Sequence, residues 1–419
     1  MIRTGPGTGP ATVREALADA HRREWAFVLA ATVRVAGDLD LAQECAQEAY
    51  VSALTAWRRD GVPARPGGWL TAVARNKALD AVRREGTLRR KLPLLVEPAG
   101  EDPGTAEPSA VPDDRLRLVF TCCHPALAPQ ARVALTLRLV CGVETADVAR
   151  AFLVPEATMA ARITRAKKKI TQARIPYRVP RADELPVRLD SALTTLHLLF
   201  STGHTAPRGQ ALVRADVVER AVDLARTLRT LLPEEPEVAG LLGLFLLTDA
   251  RRATRTDAAG ALVLLEDQDR TRWDPVKMSE GLTLTAGALT ATRHPGRFAL
   301  QAAVAGVHAA APTFAQTDWD RVVLLYDRLL AQWDSPVVAL NRAAAVAFRD
   351  GPQEGLAAAD ALAGDPRLDG YPYLPATRAD LLRRLGRTAE AASEYAAAIA
   401  LTQNAAERAY LERRRAGLG

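Results

Sequence analysis

Cysteine is scarce in this chain of 419 residues: there are four, and no two of them have the C-x-x-C spacing. That usage excludes a disulfide-stapled fold. The opening segment MIRTGPGTGP lacks the apolar core of a signal peptide. The longest apolar run, residues 238–247, falls far short of the roughly 20 residues that span a bilayer. We therefore expect a cytoplasmic protein with reduced thiols and no membrane partner.

Motifs that support catalysis are also missing. The sequence contains no Gly-rich phosphate loop, no nucleophile motif and no H-E-x-x-H signature. Three clusters invite a chemical interpretation: the segment 122–124 (CCH), the segment 266–272 (EDQDRTR), and the pair His197 and His204. Adjacent cysteines do not easily share a tetrahedral zinc site, and no matching pair lies nearby. We expect no enzymatic activity, no cofactor and no metal site, and we expect the two adjacent cysteines to be buried in a helix.

The composition is that of a soluble globular protein. Apolar residues make up 48% of the chain and charged residues 25%, which excludes disordered and collagen-like chains. The length predicts two or three domains. Residues 1–178 contain 27 Lys and Arg against 19 Asp and Glu, whereas residues 179–419 contain 28 against 30. A basic part joined to a neutral part indicates a polyanion-binding module that carries a separate domain.

Hydrophobic periodicity predicts an all-α protein. A helical pattern runs from Thr12 to about Arg90 and is interrupted by the Pro- and Gly-rich segment 60–68, after which a helix is predicted from Trp69 to about Glu85. Residues 97–114 contain four Pro, six acidic residues and no basic residue, which predicts a solvated linker. Within the first segment, apolar residues recur at every fourth position and predict one buried stripe: Leu41, Cys45, Ala49, Ala53 and Trp57.

A second helical segment follows the linker. A helix is predicted over 129–141, ended by Gly142 as its C′ residue. A short helix over 145–152, a turn at 153–154 and a helix that begins at Pro155 together predict a helix-turn-helix.

The remainder of the chain, from about residue 188, is rich in Ala and Leu, is predicted to be mostly helical and shows no convincing strand. Gly351 and Gly386, 35 residues apart, each close one predicted helix and precede another. Paired helices at this spacing indicate tetratricopeptide-like repeats, which stack into a concave protein-binding surface. Residues 190–320 fit either further degenerate repeats or a separate helical bundle.

The helix that begins at Pro155 has one apolar and one basic face. The apolar face is predicted to pack inward: Met159, Ile163, Ala166 and Ile170. The basic face lies about 100° away and contains Arg162, Arg165 and Lys169, with Lys167 and Lys168 beside them. A solvated surface helix is the alternative for a basic run. The turn placement, and Glu156 as the sole acid between 151 and 178, favour DNA binding in the major groove instead.

Two further charged blocks precede the linker. Residues 58–90 contain nine Lys and Arg against three acids, with Trp57, Trp69 and Asn76 nearby, which suits a surface that holds single-stranded DNA. The alternative for Trp69 is a core position. The other block is acidic and contains no basic residue: Asp38, Asp40, Glu44 and Glu48. It fits a docking surface for a basic partner or, equally, a solvated helix face.

In this order and spacing, the three blocks resemble the sigma factors of bacterial RNA polymerase, specifically the extracytoplasmic-function group of the sigma-70 family. The segment DLAQECAQEAYVSALTAW (40–57) resembles region 2.2, and PGGWLTAVARNKALDAVRRE (66–85) resembles regions 2.3 and 2.4. The segment TADVARAFLVPEATMAARITRAKKKI (145–170) resembles the helix-turn-helix of region four.

The resemblance implies three sets of binding residues. Core polymerase, through its β′ clamp helices, would contact Asp40, Glu44, Gln47 and Glu48. The minus-ten element, with one base flipped out, would contact Arg65, Trp69, Arg75, Asn76, Lys77, Arg83 and Arg84. The minus-thirty-five element would contact Thr158, Arg162, Arg165, Lys167, Lys168 and Lys169. The chain departs from the family at Ala160 and Ala161, where relatives carry polar side chains, so readout there would be apolar or absent.

The rest of the chain resembles the long tetratricopeptide-like extension of one sigma subgroup, in the segments 264–274, 335–352 and 376–395. The implied domains are region two (12–92), an acidic linker (93–114), region four (115–178) and a helical regulatory extension (186–419). The implied partners are core polymerase (β′ clamp helices and β flap), promoter DNA and a protein regulator bound by the extension.

Three functions fit these observations. The first is a sigma factor that drives transcription initiation and is regulated by its extension. The second is a helix-turn-helix transcription regulator with a sensory repeat domain. It needs neither an acidic dock nor a single-strand surface. The third is a repeat scaffold whose basic face is incidental.

Overall fold

The structure, a computed structural model, describes residues 10–91, 114–152 and 154–418. The linker expected at 93–114 lies outside these residues except for Asp114, and so does Leu153 of the expected turn. The described residues divide into two compact units, one up to Thr195 and the other from Leu196. Helices dominate both units, and the named strands in the described ranges are two segments of two residues each. The all-α fold class is therefore confirmed.

Helices of the first unit fall into two groups separated by the linker. Their bounds are α1 (Pro10–Ala36), α2 (Leu39–Asp60), α3 (Pro66–Lys91), α4 (Asp114–Cys122), α5 (Pro129–Leu135), α6 (Thr145–Phe152) and α7 (Glu156–Gln172). The boundary between the units falls within the next helix, α8 (Leu185–His204).

The first three helices pack against one another around the predicted stripe of α2. Cys45, Ala49, Ala53 and Trp57 are buried, and Leu41 is half-buried. The Pro- and Gly-rich segment separates α2 from α3 as predicted. Helix α3 begins three residues earlier than predicted, at Pro66, because proline is tolerated in the first turn, where N–H groups have no helical partner.

The helix-turn-helix forms as predicted. Helix α6 has the predicted bounds, and α7 follows directly after Pro155. The four apolar residues expected to pack inward are all buried: Met159, Ile163, Ala166 and Ile170.

The helix predicted over 129–141 is α5 followed by a π-helical segment, Thr136–Val140. The Cys141 N–H donates to the carbonyl of Thr136, five residues earlier, at 3.0 Å. Gly142 ends the segment at φ +67°, as its C′ role predicts. A Cβ at Gly142 would also lie 2.8 Å from the Trp25 ring of α1. Glycine is therefore required twice, for its backbone and for close packing.

The second unit continues with ten helices among the described residues. Their bounds are α9 (Ala215–Leu231), α10 (Pro236–Asp249), α11 (Pro275–Thr290), α12 (Arg297–Ala310), α13 (Trp319–Leu330), α14 (Pro336–Arg349), α15 (Pro352–Asp360), α16 (Tyr373–Arg384), α17 (Thr388–Leu401) and α18 (Ala405–Ala416). Gly351 lies between α14 and α15, and Gly386 lies between α16 and α17. Their φ angles are +105° and +75°. The helix–glycine–helix repeat is confirmed.

The two ends of this unit are joined. Strand β1 (Arg208–Gly209) pairs in parallel with β2 (Gln403–Asn404). Asn404 is fully buried, and its Nδ2 donates to the carbonyls of Ala206 and Ala211 at 2.9 and 3.0 Å. The sequence predicted no strand here, because so short a pair depends on residues almost 200 positions apart. The array of helices is consequently tied into a closed arrangement.

Candidate nucleic-acid interface

The acidic side of α2 lies at the surface. All four residues expected to contact polymerase are exposed: Asp40, Glu44, Gln47 and Glu48. Val51 follows on the same side, seven residues after Glu44, and is 65% exposed. Sequence analysis missed Val51, although its spacing from Glu44 and Gln47 could have identified it. An exposed apolar side chain among acids is a suitable centre for a protein contact.

Asp38 has a different role from the other acids of this block. Its Oδ1 accepts hydrogen bonds from the backbone N–H groups of Asp40 and Leu41, each at 2.8 Å. It is the N-cap of α2, a role that contributes about 1 kcal/mol to helix stability.

Helix α3 presents a basic surface. Among the residues expected at the minus-ten element, those that are exposed are Arg65, Arg75, Asn76, Arg83 and Arg84. Leu79 and Val82 lie between them and are 39% and 38% exposed. Cationic and amide groups interleaved with apolar side chains suit contact with both the phosphates and the bases of an unpaired strand. The two apolar residues were not anticipated.

The other two minus-ten candidates are engaged within the protein. Lys77 is half-buried, and its Nζ lies 2.8 Å from Oε2 of Glu48 on the acidic side of α2. Trp69 is half-buried against Trp57, with ring centroids 5.8 Å apart and planes at 67°. Trp69 is therefore partly packed in the protein, and part of its side chain remains exposed.

Most of the basic side chains of α7 point to solvent. The exposed members of the minus-thirty-five set are Thr158, Arg165, Lys168 and Lys169. Arg162 is half-buried, with its guanidinium carbon 5.7 Å from the centre of the Phe152 ring. Ala160 and Ala161 are exposed. This surface can approach a DNA groove without rearrangement of α7 itself.

Lys167 corrects the sequence prediction. It was assigned to the DNA-facing side, but it is only 8% exposed. Its Nζ lies 2.6 Å from Oδ1 of Asp40 and 2.8 Å from Oε1 of Gln43. The reason is that Lys167 lies next to Ala166 and Ile170 on α7, at the edge of the buried face. In this structure Lys167 therefore binds the acidic side of α2 and is unavailable to DNA.

Two further contacts connect α1 with the residues that follow the linker. The Trp25 indole N–H donates to the carbonyl of Leu139 at 2.9 Å in a buried environment. The Tyr177 hydroxyl donates to the carbonyl of Ala30 at 2.9 Å. Burial raises the pKa of Tyr177, so its hydroxyl remains a donor. The segments that resemble regions two and four therefore pack together through Trp25 and Tyr177 as well as through Lys167.

The clusters with weaker chemical signals do not form a metal site in the parts of the chain that are described. Cys122 and Cys123 are buried at the end of α4, as expected. Their burial raises the pKa of both thiols. His197 is half-buried against Phe298, and desolvation lowers its pKa to about 4. Among the described helices, none is long and apolar enough to cross a membrane.

Comparison with known proteins gives family matches for three segments of the chain. A model described as Sigma-70 region 2 matches residues 17–87, and one described as Sigma-70, region 4 matches residues 117–170. A family of unknown function, DUF6596, matches residues 188–289. An uncharacterized protein of Rhizobium meliloti (strain 1021) is 42% identical over 391 residues, which is 91% of each chain. No solved structure matches the chain.

The fold and these matches define a sigma factor of the sigma-70 family, a class of transcription initiation factors rather than enzymes. Within that family, the chain belongs to the extracytoplasmic-function type with a C-terminal extension. The two matched regions imply binding to core RNA polymerase and to promoter DNA.

Proposed function

We propose that this chain binds core RNA polymerase, directs it to promoters and starts transcription, and that its extension regulates this activity. The observation that carries the proposal is the order of three exposed surfaces: acidic on α2, basic on α3 and basic on α7. A helix-turn-helix regulator that binds only duplex DNA has no use for the first two.

The side of α2 with Asp40, Glu44, Gln47, Glu48 and Val51 is the dock for the β′ clamp helices. Acidic side chains around an exposed valine provide both steering of a basic partner and an apolar centre. The β flap is the expected partner of region four. No covalent bond is made or broken by the chain in this function, so we expect no catalytic activity of its own.

The minus-ten element binds α3. Arg75, Arg83 and Arg84 would contact the backbone of the melted strand, while Arg65, Trp69 and Asn76 would hold the flipped base. The partly exposed Trp69 ring offers a stacking surface, and base–aromatic stacking contributes about 1–3 kcal/mol per base.

The minus-thirty-five element binds α7 through Arg162, Arg165, Lys168 and Lys169, with Thr158 at the start of the helix. Arginine reads guanine in the major groove by paired hydrogen bonds, and lysine neutralises phosphates. Lys167 joins this set only after its bonds to Asp40 and Gln43 break. The free chain is therefore a closed state in which α7 and the polymerase dock engage each other, and polymerase binding favours opening.

Complex formation with purified core polymerase tests this function. The full chain should co-elute with the core enzyme and give it affinity for a single-stranded minus-ten oligonucleotide. A chain that binds duplex DNA and never co-elutes with polymerase would support the helix-turn-helix regulator instead.

The role of the extension is tested with a chain that ends at His204, the last residue of α8. Its transcriptional activity with core polymerase is compared with that of the full chain. A higher activity identifies the extension as an inhibitor, and a lower activity identifies it as an activator. Equal activities under every condition would contradict a regulatory role.

A further inference from the structure

The unit from Leu196 contains a cavity of about 610 Å³ that the proposed function does not use. It lies among α13, α14 and α16, and α17, α18 and the 3₁₀ turn Leu265–Asp267 complete its walls. Small-molecule sites in proteins occupy roughly 300–1,000 Å³. None of the lining residues belongs to the polymerase or DNA sets.

Aromatic rings form one wall of this cavity. Trp319 and Phe348 are stacked, with centroids 4.6 Å apart and planes at 16°. Phe314 meets both rings edge-on, at 5.4 and 5.1 Å. Phe348 remains 38% exposed. An aromatic cluster that stays open to solvent at a concave surface is suited to cover the flat face of a ligand.

Two buried polar atoms at the cavity make no hydrogen bond of regular geometry with the described residues. Tyr395 is 1% exposed, and its hydroxyl interacts with the Arg383 guanidinium without forming a hydrogen bond of normal geometry to it or to another described residue. The buried Nδ1 of His308 is also without a partner there. Burial, followed by Arg251 and Arg270, lowers the pKa of His308 to about 4, so the ring is neutral at pH 7. Buried polar atoms left unpaired are costly, and a bound molecule with donors and acceptors would satisfy them.

The charged side chains of the lining balance one another. Glu266 and Asp380 oppose Arg383 and Arg384. Arg383 Nη2 lies 2.7 Å from Oδ1 of Asp380. The guanidinium carbon of Arg384 lies 4.9 Å from the centre of the Phe348 ring. A site without surplus charge does not favour a phosphate or another ion, and it fits an uncharged ligand.

The cavity is also closed on one side by α18 and the 3₁₀ turn, at the place where an open array of repeats would continue. Nη2 of Arg414 on α18 lies 3.9 Å from Oε1 of Glu266 in the 3₁₀ turn. Arg414 Nε also donates to the Tyr410 hydroxyl at 2.8 Å. The last helix and this turn thus approach each other across the concave side. A compact molecule fits such a space better than a long extended peptide.

We propose that this cavity binds a small, uncharged molecule with an aromatic body and at least one hydrogen-bonding group. The ring covers the wall formed by Phe314, Trp319 and Phe348, and the polar group pairs with the Tyr395 hydroxyl. The extension of this sigma factor is then a ligand-binding domain. Binding requires neither polymerase nor DNA, so its test is independent of the proposed function.

The test is titration calorimetry on the full chain with two probes, 1-naphthol and naphthalene, which share a fused ring and differ in one hydroxyl. Ala344 lines the cavity and is half-buried, so A344W fills it. Ala397 is an exposed residue of α17 outside the lining, so A397W is the matched control. Y395F removes the hydroxyl and leaves the ring. Helical content and melting temperature are measured for every variant.

We expect one molecule of 1-naphthol per chain. A344W should weaken its binding at least tenfold, while A397W leaves it unchanged. Y395F should weaken 1-naphthol binding about fivefold, as for the loss of one hydrogen bond, and leave naphthalene binding unchanged. Failure of both probes to bind one-to-one would overturn the assignment. So would full-strength 1-naphthol binding by folded A344W, or by Y395F.

Discussion

Lys167 Nζ lies 2.6 Å from Oδ1 of Asp40 and joins α7, the helix proposed to read DNA, to α2, the helix proposed to bind polymerase. The Lys167 side chain is 10% exposed and that of Asp40 is 71% exposed. Because one partner is well solvated, the pair contributes no more than about 1 kcal/mol. A contact of this strength holds a closed state and is readily displaced by a stronger partner.

Removing the Asp40 charge should release α7 in the free chain. We expect D40N to bind a duplex DNA oligonucleotide about fivefold more tightly than the parent at low salt, since about 1 kcal/mol no longer favours the closed state. Fluorescence anisotropy measures this. E44Q is the matched control, because it removes one negative charge from the same helix without touching Lys167. Equal gains in the two variants would mean that charge alone, and not the contact, is responsible.

Changes on the exposed side of α2 should weaken polymerase binding without unfolding the protein. We expect E44K and V51D each to lower affinity for core polymerase at least tenfold, because one repels a basic partner and the other buries a charge at the centre of the contact. Surface-plasmon resonance with the core enzyme measures the effect. E15K changes an exposed acid on α1 and should bind normally. A loss as large in E15K would indicate a diffuse charge effect.

Two basic residues of α7 should differ in what they contribute. R165A should weaken the free energy of binding to the preferred promoter by about 1–3 kcal/mol and reduce discrimination between DNA sequences. K168A should weaken binding to all DNA sequences alike. In K168A the number of counterions released on DNA binding, read from the dependence of the binding constant on salt, should also fall by about one. Binding of the polymerase complex to promoter and scrambled duplexes at several salt concentrations measures both. If R165A weakens both duplexes to the same extent, Arg165 is a phosphate contact.

Gly142 and Gly37 share a φ of +67°, but only Gly142 has neighbours that an added Cβ would strike. We expect G37A to lower the free energy of unfolding by about 1 kcal/mol for the backbone alone. G142A should lower it by about 3 kcal/mol, because the Trp25 ring must also move. Denaturant unfolding measures both. Equal losses would show that the packing of Trp25 on Gly142 is unimportant for stability.

A histidine with a lowered pKa should make the second unit sensitive to acid. His197 has a folded-state pKa of about 4, below the ordinary value of about 6.5. Between pH 6.5 and 4, the His197 ring therefore binds a proton in the unfolded chain but not in the folded chain. Stability is lost over that interval as the pH falls, by about 1.4 kcal/mol per pH unit for each such group. Denaturant unfolding at several pH values measures the free energy of unfolding. In H197N its dependence on pH should fall by the contribution of one proton. H294N, at an exposed site, should not change it.

Local patterns predicted the helices that carry the candidate sites. The stripe from Cys45 to Trp57 and the helix-turn-helix around Pro155 depend on residues three or four apart, and periodicity reports such contacts directly. Gly142 was predicted to end its helix, but the π-helical turn before it was not, because the turn accommodates packing against α1.

Long-range relationships lay beyond the sequence. Lys167 and Asp40 are separated by 127 residues. The helical period places Lys167 at the edge of the apolar face of α7, but it does not say which residue of another helix Lys167 meets. The strand pair at Asn404 and the cavity around Tyr395 likewise depend on which helices meet. The sequence predicts the charge and polarity of each surface. It does not predict which side chains of that surface are bound to other parts of the protein.

Transcription initiation by reconstituted polymerase tests the central claim most directly. Purified core enzyme is combined with the full chain on a library of genomic fragments from its source organism, and transcript 5′ ends are sequenced. We expect discrete start sites that appear only when the chain is present, disappear with E44K and V51D, and remain with E15K. The absence of any chain-dependent start, from a chain that is folded and binds duplex DNA by itself, would contradict the assignment as a sigma factor.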